Sequence, residues 1–434
     1  MRRLKELITR ISKVDIVKVF SLNAVSTLIH LCTALISTKV VASIIGPAGI
    51  AMLGQLNNIN TILQSVAGGG IRSGVTKFIA EHKEDNNKVS NYISNALKIS
   101  SIFTLIISLV CIIGHKTLSN KIMLSPDYGY VFVVLGFTIF LFTLNSLLVS
   151  ILNGFKEFKK YVVVNISSSV FSLLFSVSLC LLWGLKGAMI SAVTFQSVVL
   201  FVTVYQCRKC SWFKKENFFG KFDKGVIKQY MQYTLMSLVT LSIVPVTQMI
   251  LRGYVISEIS VTEAGWWDAM NKISHMSLSI ITASLSVYIL PRMSELTDKW
   301  ELKQDIIRSY KFIVPFMLIC SVLLYLLRKP IIWLLYTPDF YPMENLFMWQ
   351  LLGDIFKVSS WILSYLMLAK LKTKAFILTE IFSGISGLLI RFICMKHFGV
   401  VGLNIGYMIN YILYFICMLW LFRDIVFAKK PQTK

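Results

Sequence analysis

The sequence predicts an all-α polytopic membrane protein, with twelve transmembrane helices in two six-helix lobes and both termini in the cytoplasm. Three observations lead to this prediction: a strongly apolar composition, a one-sided distribution of Lys and Arg among the loops, and an internal repeat at about half the chain length. Together they predict the number, the orientation and the grouping of the helices.

The composition excludes a soluble globular protein. Of the 434 residues, 56% are hydrophobic and 15% are charged, whereas charged residues make up roughly 25% of a typical soluble chain. A helix needs about 20 apolar residues to cross a bilayer. Twelve apolar segments are predicted spans, centred near Leu28, Leu63, Ile106, Phe140, Leu173, Val198, Leu241, Ile280, Leu318, Phe356, Leu388 and Leu413. The same composition excludes an intrinsically disordered chain and a disulfide scaffold.

The basic residues indicate how the helices are oriented. The chain has 44 Lys and Arg against 21 Asp and Glu, a formal net charge of +23. In a soluble protein this excess would suggest nucleic acid as a partner, but in membrane proteins Lys and Arg collect in cytoplasmic loops. The two tails and the even-numbered connections between spans carry 28 Lys and Arg, and the odd-numbered connections carry 7. We therefore expect cytoplasmic termini and no nucleic-acid partner.

The two halves of the chain repeat at a spacing of 215 or 216 residues. Gly184 and Gly187 before span six correspond to Gly399 and Gly402 before span twelve, and weaker matches pair Ala48–Gly49 with Ala264–Gly265, Lys159 with Lys374, and Arg208 with Arg423. Because each half holds six spans, both halves insert the same way up, and transporters built in this way bind substrate between the halves and alternate access. The predicted domains are an N-terminal lobe at 1–206, a basic cytoplasmic linker at 207–228 and a C-terminal lobe at 229–434.

Polar residues inside the predicted spans fall on single helix faces. In span eight they are separated by four, three, four, three and four residues: Asp268, Lys272, His275, Ser279, Thr282 and Ser286. This spacing places them on one face, and a polar stripe cannot face lipid because nothing there would satisfy its hydrogen bonds. Comparable stripes are Ser26, His30, Thr33, Ser37 and Lys39 in span one; Asn57, Thr61, Gln64, Gly68 and Arg72 in span two; Gln350, Asp354 and Lys357 in span ten; and Glu380, Gly384, Gly387 and Arg391 in span eleven.

These stripes have a structural and a functional interpretation. A charge at the bilayer centre costs roughly 2.5–3.5 kcal/mol on insertion scales, so each one needs a reason. For a single residue such as His30 or Gln64, joining two helices is the simpler reason, whereas the whole set favours a shared hydrophilic interior. Cations there would hold an anionic headgroup: Lys39, Arg72, Arg252 and Lys272. Titratable side chains would carry a coupling proton or cation: Asp268, His275, Asp354 and Glu380.

Two short motifs do not indicate a cofactor or a metal. Cys207 and Cys210 have CxxC spacing, but neither a second pair nor a His cluster lies nearby in the sequence. The run Gly68–Gly70 lacks the Lys-Ser/Thr of a phosphate-binding loop, and we expect it to break a helix or to allow close helix packing. Since the sequence contains no ATPase motif, the expected driving force is a gradient or a downstream sink.

Several strings of residues resemble one protein family. They are the run Ile45–Gly49 with Gly70–Lys77, the run Thr282–Pro291 with Leu296–Thr297, and the run Leu346–Asp354 with Lys357–Val358. They resemble the Wzx flippases of bacterial lipid-linked oligosaccharides, particularly the branch that moves enterobacterial common antigen lipid III and its O-antigen relatives. The resemblance covers nearly the whole chain, and that family belongs to the multidrug/oligosaccharidyl-lipid/polysaccharide exporter (MOP) superfamily.

The resemblance implies a MATE/MOP-like fold, an inner-membrane location and movement of undecaprenyl-diphosphate-linked sugars from the cytoplasmic to the periplasmic leaflet by alternating access. It further implies H⁺ or Na⁺ as the coupling ion, and polymerase and chain-length proteins of the same pathway as partners. The residues that match the family pattern best are Arg72, Lys77, Asp354 and Lys357, and the three cations would contact the diphosphate. The glycan contacts would come from Asn57, Gln64, Asn145, Asn404, Tyr407 and Asn410. The Ile-, Lys- and Asn-rich composition departs from the Ala-rich lipid III flippases, so an O-antigen repeat unit is an equal candidate for the cargo.

Two other functions remain open at this point. A drug or metabolite cation antiporter of the same fold would need a smaller, more apolar or acidic pocket, and the basic residues argue against it. A membrane-embedded glycan polymerase or transferase would need reactive groups on a large periplasmic loop. The longest external loops, Gly114–Tyr128 and Arg328–Glu344, are short and hold no metal or acid/base cluster. The sequence therefore predicts a transporter and not an enzyme.

Overall fold

The structure is a computed structural model. It describes residues 2–426 except 286–288, 290–291, 294–295, 297 and 371–372, and it gives residues 2–24, 233, 235–236, 239–240, 280, 283–284, 368 and 373 by their backbone only. Most of the run 286–291, including the stripe residue Ser286, and Thr297 therefore lie outside the described residues. The described residues are helical and contain no β-strand, so the all-α prediction is confirmed.

The helices are given in chain order. They are α1 (Arg2–Ala67), α2 (Arg72–His82), α3 (Asn86–Ile113), α4 (His115–Leu118), α5 (Gly129–Gly154), α6 (Phe158–Cys207), α7 (Lys224–Glu258), α8 (Val261–Ser284), α9 (Lys299–Leu326), α10 (Arg328–Leu335), α11 (Glu344–Ala369), α12 (Thr373–Leu421) and α13 (Arg423–Val426). Short 3-10 or π-helical turns occupy Ser119–Met123, Pro126–Tyr128, Lys215–Asn217 and Pro338–Met343. Both predicted external loops thus contain short helices that the sequence did not predict.

Three of the long helices are interrupted at a glycine. α1, α6 and α12 contain 66, 50 and 49 residues, and at about 1.5 Å per residue each would far exceed the roughly 30 Å core of a bilayer. The backbone breaks at Gly46 (φ 65°), Gly184 (φ 56°) and Gly399 (φ 58°). Glycine enters this left-handed region without the steric cost that other residues meet. Each long helix therefore consists of two segments.

The breaks in α6 and α12 are equivalent hairpins. A Cβ atom on Gly187 would lie 1.7 Å from the carbonyl oxygen of Leu179, and a Cβ atom on Gly402 would lie 2.3 Å from that of Cys394. Residues eight positions apart are separated by about 12 Å along a straight helix, so the chain reverses at both sites. The predicted repeat is confirmed here, because each half uses the same pair of glycines to turn the chain and pack its two segments together.

The run Gly68–Gly70 separates α1 from α2, as predicted for a helix break. Gly69 and Gly70 both have positive φ, 64° and 63°. The break is held in place by Thr234 of α7, whose hydroxyl donates to the carbonyl oxygen of Gly69 at 2.6 Å. α2 begins two residues later with Arg72, so this break sets the position of a predicted site residue.

Internal contacts divide the chain into two units. The first unit contains residues 1–44 and 55–242, and the second contains residues 45–54 and 243–434. The core of the first unit includes Val75, Ile93, Ile151, Val199 and Tyr230, from α2, α3, α5, α6 and the start of α7. Cys207, Cys210 and Trp212 pack into the same core. The segment predicted as a linker therefore folds against the first unit.

The second unit has a core formed by α8, α9, α11 and α12. Its buried members include Leu278, Ile306, Val358, Leu366 and Tyr414. Residues 45–54 approach α8 closely because glycines remove the side chains at the contact. A Cβ atom on Gly265 would lie 1.9 Å from the carbonyl oxygen of Pro47, and one on Gly54 would overlap the carboxylate of Asp268.

Six of the described helices are long and apolar enough to cross a membrane. The apolar regions are Val25–Ala67, Asn86–Ile113, Pro126–Gly154, Phe158–Cys207, Lys299–Leu326 and Lys374–Leu421. The first, fourth and sixth of these each consist of two segments, because they contain the glycine breaks. α7, α8 and α11 have 35, 24 and 26 residues, and α8 and α11 carry the polar stripes predicted for spans eight and ten. This architecture agrees with the predicted polytopic membrane protein.

Candidate functional site

A polar cavity lies inside the second unit. It offers water about 90 Å³ of space and is bounded by α7, α8, α11 and both segments of α12. Its lining residues are Ile243, Val244, Thr247, Gln248, Asn271, Ser274, His275, Gln350, Lys357, Glu380, Ser383, Gly384, Gly387, Arg391, Tyr407, Asn410 and Tyr411. The predicted stripes of spans eight, ten and eleven therefore meet in one place.

Asp354 lies behind the cavity wall in a dense hydrogen-bond network. The residue has no exposed surface. Its carboxylate accepts hydrogen bonds from the Ser274 hydroxyl at 2.7 Å, the Tyr407 hydroxyl at 2.7 Å and the Gln350 amide at 3.3 Å. Asn404 in turn donates to Gln350 at 2.8 Å. Neutral donors from three helices thus hold a buried carboxylate, which would be costly without such partners.

Lys357 sits one turn from Asp354 within an aromatic cage. Its ammonium nitrogen is 5.2 Å from the ring centre of Trp361, 5.4 Å from that of Tyr407 and 5.2 Å from that of Tyr411. The faces of these rings carry partial negative charge and attract cations. Lys357 also lines the cavity, so its ammonium group contributes positive charge to the cavity wall.

Arg391 is the second cation of the cavity. It is buried, and its guanidinium carbon lies 5.0 Å from the ring centre of Tyr407. Its Nε atom has no hydrogen-bond partner among the described residues, and the same holds for Oε1 of Gln248 and Nδ2 of Asn271. Buried polar atoms without partners are rare in folded proteins. Three such atoms belong to residues that line one cavity, so the cavity is suited to water or a polar ligand.

Glu380 and Asn410 complete the polar wall on α12. The Glu380 carboxylate accepts a hydrogen bond from the Tyr414 hydroxyl at 3.0 Å. The side-chain oxygen of Asn410 accepts from Ser386 at 2.8 Å, and its amide donates to Ser383 at 3.3 Å. With Lys357 and Arg391, the cavity therefore presents two cations, one carboxylate and several amides, a set suited to a hydrophilic anion or a sugar.

The lining of this cavity does not include three other predicted site residues of the second unit, Arg252, Asp268 and Lys272. Arg252 of α7 forms a buried ion pair with Asp268 of α8, and the Trp267 ring lies 5.8 Å from its guanidinium carbon. The two charges therefore neutralise each other. Lys272 and His275 are exposed on α8, and of these two His275 lines the cavity.

The predicted site residues of the first unit lie on α1, α2 and α5. Asn57 and Arg72 are exposed, whereas Lys39 and Gln64 are half-buried. Arg72 lies over the Phe142 ring at 5.1 Å. Lys77 is 3.6 Å from Glu81 on the helix surface, and Asn145 is buried with its side-chain oxygen accepting from Thr203 at 2.5 Å. The roles assigned to these residues remain predictions.

Several cavity residues were not assigned to the site from the sequence. They are Arg391, Tyr411, Gln248 and Asn271, and Trp361, which contacts Lys357, was not assigned either. Arg391 carries a signal, because it continues the stripe from Glu380 through Gly384 and Gly387. Tyr411 follows Tyr407 by one helical turn. Gln248 and Asn271 lie outside the predicted stripes, and the sequence does not show which helix they face.

The described residues contain no group of three or more His, Cys, Asp or Glu that could hold a metal ion. Cys207 and Cys210, the CxxC pair, are both buried in the core of the first unit. Lys160 donates to the Cys210 sulfur at 3.1 Å. The pair is thus part of the packing between α6 and the segment that follows it.

Comparison with known proteins extends the resemblance. Residues 16–297 match the family described as polysaccharide biosynthesis protein. The chain is 28% identical over 392 residues to a protein named lipid III flippase from Escherichia coli (strain K12). The aligned region covers 90% of this chain and 94% of that protein. An inward-facing multidrug resistance MATE family transporter of the MOP superfamily superimposes with a TM-score of 0.76 at 14% identity, covering 93% of this chain and 100% of that chain. The lipid II flippase MurJ, in an inward closed conformation, gives a TM-score of 0.73 at 15% identity, covering 95% of this chain and 90% of that chain. The MATE/MOP-like fold prediction is thus confirmed.

Proposed function

Since this chain belongs to the polysaccharide biosynthesis protein family, we propose that it moves an undecaprenyl-diphosphate-linked oligosaccharide from the cytoplasmic to the periplasmic leaflet of the bacterial inner membrane. The observation that carries the proposal is the similarity, over 90% of the chain, to a protein named for flipping lipid III. The protein acts as a transporter and not as an enzyme. The glycan is an O-antigen repeat unit or a related lipid III glycan.

The cavity of the second unit has the chemistry that this cargo requires. A flippase must replace water around the sugars and the diphosphate, while the lipid tail can stay in the bilayer. Lys357 and Arg391 offer positive charge, and Asn410, Asn271 and Gln248 offer hydrogen bonds. Aromatic rings such as Tyr407 and Tyr411 can stack on sugar faces. A binding site for hydrophobic drugs would be lined mainly by apolar side chains.

We propose twelve spans for this architecture, with both termini in the cytoplasm. The glycine-broken helices α1, α6 and α12 supply two spans each, and α3, α5, α7, α8, α9 and α11 supply one each. An even number of spans returns the chain to the side on which it began. The surplus of Lys and Arg in the tails and even-numbered connections supports the cytoplasmic side. We propose that an N-terminal and a C-terminal lobe move against each other and expose the cargo first to one side of the membrane and then to the other.

We further propose that an ion gradient drives the movement, with H⁺ or Na⁺ as the coupling ion. The carboxylates best placed for this role are Glu380, which lines the cavity, and Asp354, which lies directly behind it. Asp268 is a weaker candidate because Arg252 already neutralises it. The polymerase and chain-length proteins of the same pathway are the proposed partners, since they act on the glycan after it has crossed.

The proposal is tested by assigning a labelled lipid-linked glycan to one leaflet, in membranes with and without the protein. Wild-type protein should expose the glycan at the periplasmic face. Arg72→Ala and Asp354→Ala should lower surface glycan despite normal membrane levels of the protein, because one removes a cation for the diphosphate and the other removes the centre of the network. Lys116→Ala, at an exposed lysine of an external loop, is the matched control and should transport normally.

The outcomes separate the function from the site. If the glycan stays in the cytoplasmic leaflet with wild-type protein present, the flippase proposal is wrong. A drug antiporter would then be favoured if the same cells accumulate less of a cationic drug. If wild-type protein flips the glycan and both variants match it, the function stands and the roles of Arg72 and Asp354 are wrong.

A further inference from the structure

The segment after α6 folds down along α3 of the first unit. Lys98 of α3 donates to the carbonyl oxygen of Gly220 at 2.5 Å, and Asn95 donates to that of Lys221 at 3.2 Å. The side-chain oxygen of Asn95 also accepts from the backbone nitrogen of Asp223 at 3.0 Å. Asn91 donates to the carboxylate of Asp223 at 2.7 Å. Residues 220–223 are thus fixed against one face of α3.

The same face of α3 continues into the bilayer. Asn91, Asn95 and Lys98 are spaced by four and three residues, and the series continues through Ile102, Leu105 and Leu109 at steps of four, three and four. These positions therefore form one helical stripe. Ile102, Leu105 and Leu109 are exposed apolar side chains on an apolar span, and lipid is the solvent that suits them. Lys98 is the last charged residue before the uncharged stretch Ile99–Ile113, so it marks the membrane boundary on this face.

Two phenylalanines project at this boundary. Phe219 is 80% exposed and Phe222 is 60% exposed. The Phe222 ring centre lies 5.9 Å from the ammonium nitrogen of Lys98, the residue that marks the boundary. Around them lie four exposed lysines: Lys214, Lys215, Lys221 and Lys224.

The segment that carries these residues has a defined conformation. Trp212 stacks on Phe155 with ring centres 5.6 Å apart, and Phe213 packs edge-on against both Trp212 and Phe218. Asn217 closes the turn by donating to the carbonyl oxygen of Trp212 at 2.7 Å. Phe219 and Phe222 are therefore presented outward by a packed aromatic base.

We propose that Phe219 and Phe222, with the lysines around them, form a docking surface for the anionic phospholipids of the leaflet beside it. Phe222 enters the boundary between headgroups and acyl chains, directly above the lipid-facing stripe of α3. Lys221 and Lys224 contact lipid phosphates. Under the proposed topology this is the cytoplasmic leaflet, whose anionic lipids attract basic segments next to a span. The surface anchors the first unit independently of the cargo.

The charge and the geometry favour a lipid surface over a protein partner. Residues 208–228 contain seven Lys and Arg against two acidic residues, Glu216 and Asp223. The carboxylate of Asp223 is already engaged by Asn91 and by the backbone nitrogen of Gly225 at 2.8 Å. Apolar side chains that alternate with lysines beside a span are typical of segments that lie in the membrane interface. The Phe222 ring lies near Lys98, next to the start of the uncharged stretch of α3, a position that suits the headgroup region.

The test measures the depth of single side chains in a bilayer. An environment-sensitive fluorescent amino acid replaces Phe222 or Phe219 by stop-codon suppression, and the full-length protein is placed in lipid nanodiscs. We expect quenching by spin-labelled acyl chains and protection from aqueous iodide at 222 and 219. The matched control is the same probe at exposed Glu216 on the same segment, which should show the reverse. Iodide quenching at both 219 and 222 without lipid quenching would overturn the proposal.

A second measurement tests the preference for anionic lipid in protein that keeps both phenylalanines. Backbone amide hydrogen exchange of residues 218–224 should be slower in discs that contain phosphatidylglycerol than in discs of phosphatidylcholine alone. We expect the exchange rate to differ by about fivefold, because one lysine next to an anionic surface contributes about 1 kcal/mol. Lys221→Gln with Lys224→Gln should abolish the difference, and Lys116→Gln should not. Equal exchange in both discs refutes the anionic preference. If residues 218–224 are protected from exchange only in native membranes and in neither disc, the lipid proposal is wrong and a protein partner is favoured.

Discussion

Tyr407 joins the charged groups of the cavity. Its hydroxyl donates to Asp354 at 2.7 Å, and its ring lies beneath both Lys357 and Arg391. Tyr407→Phe keeps the ring and removes the donor, so it should lower the free energy of unfolding by about 1.5–3 kcal/mol, the range for a hydrogen bond to a charged group. Tyr414→Phe removes the bond to half-buried Glu380 and should cost less. Melting of both variants in detergent checks this, and equal melting temperatures would contradict it.

At the scale of residues, helical spacing predicted which polar side chains share a helix face, but it did not predict which residue each one contacts. It aligned Asp354 with Lys357, and Glu380 with Arg391, and both pairs lie at the cavity. It also aligned Asp268 with Lys272, yet the ion pair of Asp268 is with Arg252 on the preceding helix. A spacing of four residues allows a contact along one helix, but it carries no information about a stronger donor on a neighbour. For the same reason Gln248 and Asn271 could not be placed in advance.

At the scale of elements, the hairpins in α6 and α12 each need two glycines for different reasons. Gly184 and Gly399 adopt a positive φ, and Gly187 and Gly402 allow the two segments to pack closely. Gly187→Ala and Gly402→Ala would push a Cβ into a backbone carbonyl, at 1.7 Å and 2.3 Å. Backbone cannot move aside as a flexible side chain can, so each should destabilise the protein at the upper end of about 1–3 kcal/mol. Gly184→Ala meets open space, and only its backbone conformation (φ 56°, ψ −132°) opposes the change, so we expect a smaller cost within a range of about 1–3 kcal/mol. The order of melting temperatures measures this, and a Gly184 variant less stable than the Gly187 variant would refute it.

The start of α7 should respond to acid. The pKa of Asp223 is lowered because Asn91, Val226 and Gly225 donate hydrogen bonds to its carboxylate. A lowered pKa in the folded state stabilises the fold above the ordinary value of 3.8, and that contribution is lost as the pH falls through the lowered pKa. A spin label at Lys221, in protein with its other cysteines replaced, should be immobile near neutral pH and gain mobility below that value. Asp223→Asn should flatten this pH profile. A wild-type label with constant mobility down to pH about 2 would contradict the prediction.

At the scale of elements, the glycine pairs were visible in the sequence because they recur at a fixed offset. The short helices α4 and α10 were not, since four and eight residues are too few to show a period. The fold of residues 212–223 onto α3 was also hidden. It depends on hydrogen bonds from Asn91, Asn95 and Lys98 of α3 to residues 220–223. The sequence around these three residues predicts a helix but does not indicate that another segment packs against it.

At the scale of the whole molecule, composition and the distribution of charge predicted the class and a topology, because both are sums over many residues. The close contact of residues 45–54 with α8 could not be predicted. It depends on the approach of Gly54 to Asp268 and of Gly265 to Pro47, contacts between parts of the chain that are distant in sequence. Composition and charge distribution thus predict that the chain spans a membrane and how it is oriented, whereas single long-range contacts are visible only in the structure.

The proposed topology makes a prediction for the whole chain. Alkaline phosphatase folds only after export, so fusions after Lys116 and Lys329, in the two external loops, should be active. A fusion after Lys156, between α5 and α6, should be inactive, and a fluorescent protein at the C-terminus should fluoresce. The physical reason is that the 28 Lys and Arg of the tails and even-numbered connections resist translocation, whereas the opposite side carries 7. An active fusion after Lys156 together with an inactive one after Lys329 would invert the topology. The phenylalanines beside α3 would then face the periplasmic leaflet.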